Sequence, residues 1–148
     1  GRHTARYEST GRLERERGGL GNAALSAAGT DEQKGKWMGL CLAMAITEPG
    51  CGSDPSRVAT TAVLNEETDE WVINGTKFYI SGAGDPRCRI LITMVQTDPD
   101  GPPHRRQSQI LVPIDAPGLT IDHPMTVFGE DDAPHGHMHL TFDDCRVP

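Results

Sequence analysis

Aromatic residues are scarce in this 148-residue chain, with Phe, Tyr and Trp together at 5%, which excludes a core built on stacked rings. Positive charge is short as well: 14 Lys and Arg face 21 Asp and Glu, a net charge of -7. Nucleic acid and anionic membrane both require basic patches, so neither is expected as a partner. No apolar run approaches the ~18 residues of a membrane span, and no charged, apolar and small succession marks a secretory signal at the start. The four cysteines, Cys41, Cys51, Cys88 and Cys145, form no Cys-x-x-Cys pair. A zinc knuckle and a redox dithiol are thereby excluded, and reduced thiols in a soluble, intracellular protein are expected. Cytoplasm, mitochondrion and peroxisome are not distinguished.

What the chain has instead is turn-forming residues, 17 Gly and 11 Pro. That abundance points to many short strands rather than a helical bundle. Residues 1–22 mix Arg, Glu, Gly and Thr without apolar periodicity and are expected to be disordered. Residues 23–28 are weakly helical, and Thr30 with Gln33 forms a capping-box pattern that starts a short helix through Met38. Strands are expected at 41–46, 59–64, 70–73, 76–81, 90–96, 109–112, 119–121, 125–128 and 137–142. The acidic stretch 65–69 reads as one hairpin tip. Asn74-Gly75 reads as a second hairpin turn, because both residues tolerate positive φ. The expected fold is mainly β, a small antiparallel barrel or sandwich of seven to eight strands with a short helical or disordered N-terminal arm. The arm is placed at 1–37 and the β domain at 38–148.

The stretch that organises the chain is Met44-Ala45-Ile46-Thr47-Glu48-Pro49-Gly50-Cys51-Gly52-Ser53-Asp54. An apolar strand breaks at Pro49 and enters a loop whose glycines let the main chain approach a flat or charged ligand. A lone Gly-x-Gly is most often a bare turn. Here further motifs follow in order: Thr60-Thr61-Ala62, Trp71 through Lys77, Phe78-Tyr79-Ile80-Ser81, Leu111-Val112-Pro113, Pro117-Gly118, and Phe142 through Pro148. Over residues 38–148 this order resembles the central β domain of the acyl-CoA dehydrogenases, flavoenzymes whose motif Thr-Glu-Pro-Gly-x-Gly-Ser-Asp is Thr47–Asp54 here. Residues 29–37 resemble the end of that family's N-terminal helical domain, with a shortened linker. By the same comparison the chain reads as a fragment.

The resemblance implies FAD as cofactor and α,β-dehydrogenation of acyl-CoA thioesters as the reaction, an oxidoreductase acting on CH-CH groups in fatty acid metabolism. Met44, Ala45, Ile46 and Thr47 would line the pyrimidine side of the flavin. Gly52 and Ser53 would approach the FAD pyrophosphate and the acyl-CoA, Ser53 serving both. Tyr79, Ile80 and Ser81 stand where the family usually has Trp-Ile-Thr, so an aromatic ring would pack on the flavin and a hydroxyl would sit near N5. Tyrosine keeps a π-face but a smaller one, and serine keeps the hydroxyl without the methyl that fixes its rotamer. An electron-transfer flavoprotein would take the electrons, and the full-length protein would be a homo-oligomer. The family's glutamate base lies outside the matched segment, so no catalytic residue is named and the chain alone is expected to be inactive.

Two readings of other kinds stand beside this one. The first is a non-catalytic remnant that binds flavin or acyl-CoA. The second is a cupin-like metal barrel, since His135, His137 and His139 alternate and Asp143 follows, although the carboxylate is of the wrong type and a further histidine is missing. Solvated histidines near a turn are the commoner explanation, and no metal ligand is assigned. Lys77 could meet a phosphate, but a lysine stem along a strand edge is the ordinary arrangement. Arg105 and Arg106 are expected to be solvated.

Overall fold

The computed structural model describes residues 19–148; the first 18 residues, most of the stretch expected to be disordered, lie outside the described part. Residues 19–22 do not follow that expectation, because they open helix α1, Gly19–Ala28. Leu25, 3% exposed, anchors the helix on the sheet, and Asn22 links it to the chain before β1, donating to the Leu40 carbonyl at 3.4 Å and accepting from Gly39 N–H at 3.3 Å. Helix α2, Asp31–Trp37, carries the expected capping box: Gln33 N–H donates to the Thr30 hydroxyl and Thr30 N–H to the Gln33 side chain.

Seven strands follow: β1 (Cys41–Ala45), β2 (Thr61–Asn65), β3 (Glu70–Ser81), β4 (Cys88–Gln96), β5 (Gln107–Pro113), β6 (Leu119–Pro124) and β7 (His137–Val147). They form one curled sheet in the order β1-β4-β2-β3-β7-β6, with β5 on β4. Most pairs are antiparallel, as expected, but β1 runs parallel to β4 and β2 meets β4 in parallel at Thr61 and Gln96, so the sheet is mixed. The long path through the glycine loop is what brings β1 and β2 to β4 in that direction. Strand β4 is the hub, and its continuous apolar run is buried on both faces. The core is built from small and branched aliphatic residues, among them Ala43, Ile73, Leu91, Val95, Val112 and Leu140, with Phe142 the one buried ring among the described residues.

Two sequence expectations are corrected. Asn74-Gly75 does not turn the chain; it lies inside β3, at a bulge where the register with β7 shifts between Ile73 and Gly75. Gly75 sits at φ 149°, and a Cβ there would lie 2.5 Å from Thr60 Oγ1 and 2.7 Å from its Cα, so the glycine serves a close backbone approach. Asn74 completes the bulge, accepting from Asp144 N–H at 2.8 Å and donating to the Asp144 carboxylate at 3.0 Å. Residues 125–128 do not form a strand either. Val127 and Glu130 close a tight turn there, leaving Val127 and Phe128 in solvent.

Candidate functional site

Strand β1 ends the sheet path, so one of its edges pairs with β4 and, among the described residues, the other pairs with no strand. A cleft of about 280 Å³ opens at that edge. Leu42, Ala43 and Met44 of β1 line it with Thr47 just beyond, Tyr79, Ile80 and Ser81 of β3 form the other wall, and Gly21 of α1 closes it. A side chain at Gly21 would bring its Cβ to 2.8 Å from Leu42 Cβ, so the helix approaches β1 only because that residue is bare.

The two walls meet through a second bulge in β3. Register with β7 shifts between Lys77 and Ile80, and Phe78 N–H turns away from β7 to donate to the Thr47 carbonyl at 2.8 Å. Tyr79 takes φ 54°, a left-handed conformation that L side chains adopt at a cost. The residue is 45% exposed and lines the cleft, so it is not a core partner for another strand. A bulge that re-aims one side chain is a recurrent device beside binding sites.

Of the residues named from sequence, Met44, Thr47, Tyr79, Ile80 and Ser81 share this cleft. Ala45 is fully buried on the core side, and Ile46 is half-buried with its carbonyl accepting from Lys77 at 3.0 Å. Gly52 and Ser53 are exposed in the loop after β1. That loop is firmly built: Glu48 and Cys51 exchange both backbone hydrogen bonds, at 2.9 and 3.0 Å, and Asp54 caps the 3-10 turn Pro55–Arg57 through Ser56 N–H. A Cβ added at Gly50 or Gly52 would meet nothing within 4 Å.

Lys77 departs from both sequence readings. It is fully buried, 2.7 Å from Glu48 Oε1, and it also donates to the carbonyls of Ile46 and Met94. Glu48 in turn accepts from Ala59 and Thr60 N–H at 2.7 and 3.0 Å. Burial works to raise the Glu48 carboxyl, but the Lys77 ammonium and these donors outweigh it and hold it below its ordinary value. Burial lowers the Lys77 ammonium, against the pull of Glu48. The pair fixes the loop by which the chain leaves β1, and so the position of Thr47.

The three alternating histidines do not converge on one point. His135 pairs with Asp85 at 2.9 Å, His137 with Asp132 at 3.3 Å and with the Ser81 hydroxyl at 2.8 Å, and His139 with Asp122. His139 also stacks on His123, ring centroids 5.0 Å apart. Among the described residues no three His, Cys, Asp or Glu side chains are arranged to hold a metal ion. The sequence reading missed Gly21, Leu42 and Ala43 as cleft residues, and His137 as the partner of Ser81. The alternation of the histidines was visible, but their separate carboxylates come from β6 and from two turns.

Residues 43–145 match the family model for the acyl-CoA dehydrogenase middle domain. The chain belongs to the acyl-CoA dehydrogenase family. It is 44% identical over 127 residues to acyl-CoA dehydrogenase family member 10 of Mus musculus, covering 81% of this chain and 12% of that protein. The crystal structure of an acyl-CoA dehydrogenase from Geobacillus kaustophilus superposes with a TM-score of 0.72 at 34% identity, over 85% of this chain and 33% of that one. An acyl-CoA dehydrogenase from Bacillus anthracis, solved in complex with FAD, gives a TM-score of 0.74 at 29% identity, over 88% and 22% of the two chains. The chain thus spans a minor share of the acyl-CoA dehydrogenases it matches. Among the described residues no helix is long and apolar enough to cross a membrane.

Proposed function

We propose that the cleft between β1 and β3 is the flavin side of an acyl-CoA dehydrogenase site. The full-length protein carrying this chain would use FAD to introduce a trans double bond between the α and β carbons of an acyl-CoA thioester. The observation that carries the reading is the convergence of Met44, Thr47, Tyr79 and Ser81 on one cleft, with an exposed ring on one wall and an open strand edge on the other. A flat cofactor with a polar rim needs those surfaces, an apolar face to stack on and donors or acceptors at its edge. FAD, when bound, supplies the acceptor for the hydride leaving the β carbon. In this chain Tyr79 would stack on the ring. Ser81 and Thr47 would bond its edge, with the main chain of Ala45 and Ile46 beside them. Gly52 and Ser53, on a rigid loop with open backbone, would approach the cofactor pyrophosphate and the acyl-CoA. The base that takes the α proton would come from elsewhere in the full-length protein, since Glu48 is committed to Lys77. The same reading makes an electron-transfer flavoprotein the electron acceptor and a homo-oligomer the working form, inside the cell.

The test exploits the strain at Tyr79. Glycine adopts φ 54° without penalty, so Tyr79→Gly should leave the unfolding free energy of the full-length protein, read from urea titration, unchanged or raise it by up to about 1 kcal/mol. It should also weaken FAD retention by about tenfold or more, because the stacking face is gone. Full flavin retention by Tyr79→Gly, or a wild-type protein that carries no flavin, would overturn the assignment.

A further inference from the structure

Ser81 and His137 are direct partners in the β3–β7 register, and their side chains meet, with the Ser81 hydroxyl 2.8 Å from His137 Nδ1. The far nitrogen of the same ring, Nε2, lies 3.3 Å from Asp132 Oδ2. The three groups form a relay that runs from an exposed turn residue, through a ring whose side chain is 28% exposed, into the cleft wall.

We propose that His137, oriented by Asp132, is a positioning residue that sets whether the Ser81 hydroxyl donates a hydrogen bond into the cleft or only accepts one. The inference rests on the flavin reading of that cleft and adds to it a control over what the cofactor edge meets. A carboxylate only accepts, and the negative charge of Asp132 at 3.3 Å draws the ring hydrogen to Nε2. With the ring neutral, Nδ1 is then an acceptor, the Ser81 hydroxyl donates to it, and only oxygen lone pairs face the cleft. With the ring protonated, Nδ1–H donates to the Ser81 oxygen, and the hydroxyl hydrogen is released toward the cleft. One proton taken up from solvent at His137 therefore inverts the polarity of Ser81 without moving the backbone. Imidazole is the side chain whose proton changes hands near neutral pH.

The charged and titratable groups around His137 are few. Asp132 is its direct partner, and in the same turn His135 is held by Asp85, which also binds Arg87 at 2.7 Å. On its own strand His139 is bound to Asp122, and at the end of β6 Met125 N–H donates to the His137 carbonyl at 2.8 Å. From β3 the cleft receives Tyr79, Ile80 and Ser81, of which Tyr79 is the titratable one.

The experiment uses the full-length protein purified with its flavin, whose visible absorption is recorded from pH 5 to 9. The wild type should show a band shift following a single ionisation. His137→Gln, a change at a residue outside the cleft lining, should retain flavin and lose the shift. A wild-type spectrum flat across this range, or a shift that persists in His137→Gln, overturns the proposal. Nitrogen NMR of the histidine rings supplies a readout independent of the cofactor. It should find the neutral His137 ring protonated at Nε2, and a hydrogen at Nδ1 instead overturns the relay. A protein that binds no flavin in any variant would sink the flavin reading alone, and the nitrogen spectrum would then decide the relay on its own.

Discussion

A lysine with no solvent contact is tolerable only if every proton of its ammonium is used, and Lys77 spends its three on Glu48, Ile46 and Met94. Removing one member strands the other, so Lys77→Met should cost about 3–5 kcal/mol by urea unfolding. The double change Lys77→Met with Glu48→Gln should cost less than the sum of the single changes, because neither leaves an uncompensated charge. Additive costs would mean that the two side chains contribute independently. The sign with pH follows from the direction at Glu48. Its carboxyl is held below the ordinary value, so its contribution is complete above that value and is lost as pH falls through the folded one. Little in the sequence marked Lys77 as buried, because a lysine on a strand reads as an edge residue until the loop that reaches over it is known. By contrast Thr47, Tyr79 and Ser81 were legible, since each stands in an ordered motif whose neighbours are equally distinctive.

At the scale of elements, β3 shows how one strand serves two purposes. Its first bulge, at Gly75, lets the strand pass within contact of Thr60, and its second, at Tyr79, turns a ring into the cleft. Gly75→Ala should therefore destabilise the chain by about 2–3 kcal/mol, since the atoms in the way include the Thr60 backbone, which has no rotamer to yield. A urea midpoint equal to wild type would show that β2 can move aside. Pattern and composition located β2, β4 and β5 within a few residues, while β7 runs past its expected end at Phe142 to Val147. They failed at Asn74-Gly75 because the residues that allow a tight turn also allow a bulge, and the choice is made by β7, whose Asp144 binds both ends of the Asn74 side-chain amide. The pairing of β1 with β4 was equally illegible, because parallel partners are joined through the fold and not by any local turn.

At the scale of the whole molecule, the cleft depends on pieces far apart in sequence. Gly21 comes from a helix that composition placed in a disordered arm, while His137 comes from the last strand. The turn that leads into His137 is tied back to the sheet at Asp85, in the loop between β3 and β4, where the carboxylate meets Arg87 and His135. Hydrogen bonding from Arg87, against burial, holds the Asp85 carboxyl at about 2, below its usual 3.8. A depressed carboxyl stabilises the folded state fully above its unfolded value and loses that contribution as pH falls from about 4 to about 2. The shift corresponds to about 2 kcal/mol, reduced to about 1 kcal/mol because the Arg87 and His135 side chains are more than half exposed and screened by water. Asp85→Asn should accordingly unfold at lower urea than wild type by about that margin at pH 5 to 7, and the gap should close as the buffer is taken below pH 4. A gap that stays constant down to pH 3 would assign the role of Asp85 to its packing and its backbone bond to Arg87 rather than to its charge.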